Sequence, residues 1–371
     1  MREAHRRLLL DLLSLPTSPF HEHAVIAYIR GWAAGRPGIS LNTDVYGNLR
    51  LDLRRGGRGS TPDWFLSAHM DHPGFAAVRM LDNNRLEARW HGGVQPDFFR
   101  EARVRFHTNH RWVRGKIESY EVTNVMGRQR VSTAVVSMSR PVAAEAVGMW
   151  DLPNPTIRGS RLFARACDDI AGVAATLAAL DILNDLDKPV HVGLLLTRAE
   201  EVGFAGAIAA CHSRLLPKKV PVLSVECSPA QPGVEMGAGP VVRVGDRMSV
   251  FDNAMVAWCR QVAETLSRTT PDFAFQRKLL DGGACESSAY LEYGHQTTGL
   301  SLPLGNYHNM DHRTGRIAPE YIDLKDFDRL ICWFVALATA GIRSKPRSPA
   351  LRQTFDREHR IWGPMLRQSS G

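Results

Sequence analysis

Five short stretches of the chain carry side chains that can hold a metal ion or move a proton. "SAHMDH" supplies His69 and Asp71, "RACDDIAG" Asp168 and Asp169, "RAEEVG" Glu200 and Glu201, "LSVECS" Glu226, and "LGNYHNMDH" His308. Imidazole and carboxylate together make a donor set suited to zinc, with cobalt or manganese as alternatives. His69 and Asp71 stand two residues apart on an extended run and so share a face. A ligating histidine usually gives its second ring nitrogen to an acceptor, and Asp71 is placed to be that acceptor. Glu200 and Glu201 are neighbours. On an extended segment their side chains point opposite ways, which suits two separate tasks.

Taken singly, each residue has a plain structural explanation. His69 alone would be a hydrogen-bonded core histidine. Asp168 or Asp169 would be a helix N-cap, where Asp is favoured. Glu226 would be a charge at a strand end, and His308 a loop histidine. His72 and His312 are read in that ordinary way. The set carries more weight than its members. Five candidate ligands stand at five separate ends of expected elements, and open α/β sheets place their sites at the carboxyl ends of strands.

Those elements are legible in the patterning. Residues 1–35 read as two helices around "LPTSPFHEH". "TDVYGNLRLDLRRGG" alternates and then bends, and "DWFLSAHMDH" is a further strand. From about Pro73 to Ser160, short alternating runs such as "RLEARW", "ARVRFHT", "RWVRGKIESY" and "TAVVSMS" point to a small all-β module. Beyond Arg161 strand and helix alternate. "DDIAGVAATLAALDILNDL" and "LKDFDRLICWFVALATAGI" are helices, while "VHVGLLLT", "VPVLSVE" and "TTGLSLPL" are apolar runs typical of strands covered on both faces. The simplest architecture is an α/β sandwich interrupted by a β insertion.

Composition narrows the class. Of 371 residues, 44% are hydrophobic, enough for a sizeable core, and no apolar run approaches the roughly 20 residues of a membrane helix. Asp11 interrupts the apolar part of "MREAHRRLLLDLLSLPTSPF", so this stretch reads as an amphipathic helix rather than a signal peptide. Six cysteines are scattered with no CxxC pair, which suits a reducing cytoplasm. The net charge of +8 raises nucleic-acid binding. The basic residues are spread along the chain without a recognised motif, so no nucleic-acid or membrane partner is expected. The local excess is the end, "GIRSKPRSPALRQTFDREHRIWGPMLRQSSG", rich in Pro, Ser and Arg and expected to be partly disordered.

The runs "AHMDHPGF", "ARACDDIAGVAA", "TRAEEVGFAGA", "VECS" and "NYHN" resemble, in order and approximate spacing, the cocatalytic two-metal aminopeptidases, and most closely the glutamyl and deblocking aminopeptidase family. "DVYGNLRLDLRRGG", "VGMWDLPNPTIRGSRLFARACDD" and "GAGPVVRVGD" resemble it too, and the likeness covers most of residues 1–340. Carboxypeptidase G-like and leucyl aminopeptidase families share the core. The resemblance implies a central mixed sheet sandwiched by helices, built from residues 1–72 and 161–343. It also implies a β-barrel-like insertion over 73–160, leaving 344–371 as a basic tail. Two divalent ions, zinc first, are implied, with His69 and Glu226 on one and Glu201 and His308 on the other. Asp168 would bridge them through a peptide bond to Asp169 that is typically cis. Glu200 would be the general base, with Asp71 supporting the site, and Gly203 and Gly206 would let the backbone pass close by. A peptide substrate and a homo-oligomer, dimeric or larger, are implied as well.

Three departures bear on the substrate. Glu226 stands where the family's aminopeptidases usually carry Asp, "GGACESSA" (Gly282 to Ala289) replaces the usual "GGTD", and the basic tail has no counterpart. The expected activity is release of N-terminal amino acids. The alternatives are a carboxypeptidase or N-acyl-amino-acid deacylase on the same core, a non-catalytic metal- or peptide-binding protein, and a basic RNA-binding protein. An intact general base argues against a pure binder. An RNA-binding protein would hold no metal and lose affinity steeply with salt.

Overall fold

The computed structural model describes residues 2–56, 61–125, 127–342 and 349–368. The chain starts with two helices, α1 (Glu3–Ser14) and α2 (His23–Ala34), then strands β1 (Ile39–Thr43), β2 (Leu49–Arg55) and β3 (Trp64–His69). Six strands follow: β4 (Gly74–Met80), β5 (Arg85–His91), β6 (Arg103–Thr108), β7 (Arg111–Val125), β8 (Arg128–Met138) and β9 (Val147–Trp150). They close into a barrel in the order β4-β5-β8-β7-β6-β9. The runs read as alternating in the sequence are β5 to β8. Trp90 of β5 and Phe106 of β6 point inward and join Phe75 of β4, Phe99 of the β5–β6 connection and Trp150 of β9 in one aromatic interior, with Phe75 and Trp90 edge to face at 4.5 Å.

After β10 (Thr156–Arg158) and β11 (Arg161–Ala164) comes α3 (Ile170–Asp185), and then β12 (Val190–Thr197), α4 (Ala205–Ser213), β13 (Val222–Pro229), β14 (Val241–Asp246), α5 (Asn253–Thr269), β15 (Gln276–Leu280), α6 (Glu286–Glu292) and β16 (Thr297–Leu304). Two short strands, β17 (Met310–Asp311) and β18 (Arg316–Ile317), lead to β19 (Glu320–Asp323) and α7 (Leu324–Ala340). β10 falls within residues 73–160, yet it pairs with β11, and β11 with β19, rather than with the barrel.

The main sheet has eight strands in the order β1-β2-β12-β3-β13-β16-β14-β15. Its middle four, β12, β3, β13 and β16, are mutually parallel, and the flanks bring in antiparallel pairs, so the sheet is mixed. β3, β12 and β16 are buried at every position. That is why they read as continuous apolar runs: helices cover both faces. α1, α3, α5 and α7 contribute to the large core on one face. α4 and α6 close a smaller one around Phe65, Leu195 and Tyr290 on the other. α3 lies deepest; apart from Asp181, Ile182 and Asn184 to Asp185 near its end, every residue is buried. Its Ala and Gly content lets it sit close to its neighbours, and it shows no strong amphipathic stripe because it has no solvent face.

The segment expected to be a partly disordered tail carries a helix, α8 (Pro349–Gln368). Residues 344–348 and 369–371 lie outside the described residues. Local Arg352–Asp356 pairing at 3.1 Å gives the helix i,i+4 support that a composition argument overlooks. Among the described residues, no helix is long and apolar enough to cross a membrane.

Candidate metal centre

The four parallel strands run the same way, so their carboxyl ends meet at one edge, and the residues singled out by type collect there. His69 is the last residue of β3. β12 ends at Thr197, just before Glu200 and Glu201. Glu226 lies in β13 opposite Ser301 of β16, and β16 ends at Leu304, shortly before His308. Asp168 sits immediately ahead of α3, and the Asp168–Asp169 peptide bond is cis.

Asp168 presents one carboxylate oxygen to each histidine. Its Oδ1 is 3.5 Å from His69 Nε2, and its Oδ2 is 3.6 Å from His308 Nε2. Glu226 Oε1 is 3.8 Å from His69 Nε2, and Glu201 Oε2 is 3.2 Å from His308 Nε2. Glu200 Oε2 is 4.0 Å from His69 Nε2. Two donor groups therefore form, one of His69, Glu200 and Glu226, the other of Asp168, Glu201 and His308.

The donor set fits divalent cations on three grounds. Five buried atoms here have no hydrogen-bond partner among the described residues: His69 Nε2, His308 Nε2, Asp168 Oδ1, Glu201 Oε1 and Glu226 Oε2. A native interior rarely leaves so many polar atoms unpaired in one place. The separations match as well, since donors about 2.1 Å from a tetrahedral ion stand about 3.4 Å apart. Finally, the carboxylates outnumber the imidazoles, and buried like charges need compensating positive charge.

The electrostatics state the same need. Burial pushes the Glu200 carboxyl well above its usual range, and Glu226, Glu201 and Asp71 push it further, against the pull of His69. Burial and the Asp168 charge likewise raise Glu226. Burial alone would lower His69, but the carboxylates of Glu200, Asp168, Asp71 and Glu226 overcome it and hold the imidazole well above its usual value. For His308 the effect of burial is overcome by Glu201 and Asp168.

The glutamate turn is pinned from three directions. The Asp71 carboxylate accepts the backbone N–H of Glu200 at 2.9 Å and of Glu201 at 3.1 Å. Glu22 Oε1 accepts the N–H of Ala199, and Asn48 Oδ1 that of Arg198. The chain turns through a left-handed Ala199 (φ 51°) into Gly203 (φ 112°). Gly206 packs on the Arg198 carbonyl, accepting no Cβ there, with its own N–H donated to that oxygen at 2.8 Å. Asp71 thus differs in detail from the sequence expectation. His69 Nδ1 meets the Asp71 backbone carbonyl at 3.1 Å, while the carboxylate stays 3.6 Å away because it is engaged with the turn. His308 Nδ1 meets a main-chain oxygen too, that of Gly93 from the barrel segment, at 3.1 Å.

Asp169 occupies the N-cap position of α3, yet its side chain makes no capping bond. His312 is exposed, its ring against Phe98. His72 is not the ordinary loop histidine that the sequence suggested. It is fully buried, with Nδ1 2.6 Å from the Asp168 carbonyl and Nε2 3.0 Å from Asn309 Oδ1. The "GGACESSA" run starts α6 behind the sheet, where Glu286 accepts from Ser67 Oγ at 2.8 Å, two residues before His69 on the same strand face.

The residue that sequence reasoning missed most plainly is Glu320. It is fully buried, and its carboxylate accepts the backbone N–H groups of Cys167 (2.7 Å), Asp168 (3.1 Å) and His308 (2.8 Å). One side chain thus ties the Asp168 turn to the His308 loop. Burial and the Asp168 charge push its carboxyl up to about 7, against His72 and the backbone donors. Nothing near "APEYIDL" marks it, because its partners are main-chain amides, those of Cys167 and Asp168 being 153 and 152 residues away and that of His308 12 residues away across a loop. Glu320→Ala strands three buried donors, each costing about 1–3 kcal/mol. Denaturant unfolding of the variant should therefore show a loss of several kcal/mol. A loss below about 1 kcal/mol would remove Glu320 from this role.

A sheet of this topology carries acidic and histidine donors at the carboxyl ends of its parallel strands, a set suited to divalent cations. The family model described as M42 glutamyl aminopeptidase matches residues 141–317 of this chain. Similar solved structures share the fold. An aminopeptidase from the archaeon Desulfurococcus kamchatkensis is 22% identical, with a TM-score of 0.73 over 92% of this chain and 96% of the other. The TET1 peptidase of Pyrococcus horikoshii, which can assemble into a tetrahedron or a large octahedral shell, is 21% identical, with a TM-score of 0.72 over 90% and 99%. A TET aminopeptidase from a marine sediment Thaumarchaeota archaeon is 18% identical, with a TM-score of 0.74 over 91% and 97%.

Proposed function

We propose that this metallopeptidase releases N-terminal amino acids from peptides, using two divalent cations held around Asp168. The observation that supports this most is the cluster of unpartnered donor atoms on His69, Asp168, Glu201, Glu226 and His308. In this reading His69 and Glu226 serve one cation, Glu201 and His308 the other, and Asp168 both. Zinc suits the imidazole and carboxylate set, as do cobalt and manganese. Held there, divalent cations would supply polarisation of the scissile carbonyl and a more acidic attacking water. Glu200 takes the water's proton and returns it to the leaving amine, a role suited to a carboxylate whose proton affinity is raised by burial. Asp71 fixes the Glu200–Glu201 turn, and Glu320 fixes Asp168 relative to His308. We read residues 73–160 as an inserted unit that reaches the site through the Gly93 carbonyl. The chain acts as a homo-oligomer, dimeric or larger, by analogy with the shells formed by the TET1 peptidase. Six free cysteines favour a reducing compartment, the cytoplasm.

Glu226 supports a second reading, because a glutamate one methylene longer than the family's aspartate changes the space and charge beside the substrate nitrogen. That fits a deacylase or carboxypeptidase on the same core. The test compares an amino-acid amide or dipeptide with its N-acetylated form at equal metal loading. The free amine should be cleaved faster, and both reactions should stop on chelation. Faster cleavage of the acetylated compound would promote the second reading.

A further inference from the structure

We propose a second, non-catalytic binding site for a compact, multiply charged oxyanion of the phosphate class, at the seam between the barrel and the α/β layers, with Arg105 as its principal ligand.

The barrel strands β6 and β7 place like charges directly opposite each other: Arg103 faces Lys116, and Arg105 faces Arg114. Such pairs are destabilising. Lys116 is relieved by Glu101 at 3.1 Å. The second pair shares one carboxylate, Asp151, which lies 3.3 Å from Arg114 and 4.0 Å from Arg105. A third guanidinium, that of Arg165, comes from the α/β side. Arg105 and Arg165 are only 7% and 1% exposed, and both lie over the Trp112 ring, at 4.3 and 5.6 Å. Three guanidiniums around one carboxylate leave two positive charges in excess.

The unpaired atoms show what is lacking. Arg165 gives Nη1 and Nη2 to the carbonyls of Leu152, Pro153 and Ser14 and to Asn154 Oδ1, and its Nε has no partner among the described residues. Arg105 has no partner at Nε or Nη2 among the described residues. These two nitrogens form the side edge of the guanidinium, which matches two oxygens of one carboxylate or phosphate. An unpaired charged group in a protein interior is costly, so this edge is built for a ligand. Two supporting features agree. Burial and the neighbouring Arg105 lower the Arg165 pKa to about 9, the direction that an anion would reverse. Asp151 also lines a cavity of about 560 Å³ together with Glu101, Arg100, Arg103, Lys116 and Arg316, four cationic side chains against two carboxylates.

The position gives the ligand a structural effect. Arg105 is the register partner of Met149, which packs in the large α/β core together with Trp112. An anion held here ties the barrel wall to Arg165 of the α/β layers.

The test is a titration of the full chain with sodium phosphate at constant ionic strength, with chloride and acetate as parallel titrants. Phosphate should raise the melting temperature saturably, by about 3 °C at a hundredfold excess over Kd. Acetate, with one charge, should do less. The rise should persist after chelation, which separates it from phosphate meeting cations at the strand ends. Arg105→Met should lose the saturable rise, and Arg105→Lys, which keeps the charge but not the two-nitrogen edge, should shift its midpoint at least tenfold. The proposal is overturned if phosphate acts no differently from chloride, or if Arg105→Lys titrates like the parent chain. The latter comparison stands even if Arg105→Met fails to fold.

Discussion

Glu200→Gln should lower kcat by about 10²–10⁴-fold, the usual contribution of a general acid–base group, while metal content and melting temperature stay near those of the parent chain. The amide keeps the shape of the side chain and can still receive a hydrogen bond, but it cannot take up a proton. Its backbone anchor is untouched, because Asp71 holds Glu200 through the main-chain N–H. The variant also decides between two roles that geometry places close together. Glu200 belongs to the donor group with His69 and Glu226, 4.0 Å from His69 Nε2. If Glu200 were chiefly a ligand, Glu200→Gln would lose a cation along with activity. Elemental analysis of metal-saturated protein separates the cases: unchanged stoichiometry with lost turnover marks a base, and reduced stoichiometry marks a ligand. Full activity would exclude both.

How much of this centre can be read in the sequence depends on where a side chain finds its partner. His69, Asp168, Glu201 and His308 are donors at or just beyond the ends of elements, where type plus position is enough to find them; Glu226, read as a strand-end residue, lies inside β13, which runs on to Pro229. Their strands are legible for a related reason: β3, β12, β13 and β16 are covered on both faces and therefore continuously apolar. Glu22, Asn48, His72, Asn309 and Glu320 are different. Each acts by accepting or donating a hydrogen bond to distant main chain or to another such residue, and no local pattern records that. The same limit applied to Asp71, where the sequence showed its neighbour His69 but not the two amides from β12's turn that claim its carboxylate. Some elements went unread although a local signal was present. α5 begins at Asp252, whose side chain accepts the Met255 N–H at 2.8 Å, an ordinary capping arrangement ahead of an amphipathic run. In α8, a Pro- and Ser-rich approach masked a segment with helical charge pairing.

Asp168→Asn should reduce bound metal from about two ions per chain, the number a two-metal hydrolase requires, to one or none, with turnover falling accordingly. Oδ1 faces His69 at 3.5 Å and Oδ2 faces His308 at 3.6 Å, so each half of the site uses a different oxygen of one carboxylate. Asparagine offers one oxygen and one NH₂ group, and the amide nitrogen is not a ligand under these conditions. Whichever way the amide turns, one half loses a donor and both lose the shared negative charge. Removing an outer-shell partner of a metal ligand typically costs about 10–100-fold in affinity or activity, so losing a direct shared donor should exceed 10²-fold. The fold should survive, because the Asp168 backbone contacts remain: its N–H on Glu320 and its carbonyl on His72. Retention of two tightly held ions by a folded Asp168→Asn chain would mean that the two halves bind independently. The bridging role would then have to be abandoned, even though the remaining donors would still mark a metal centre.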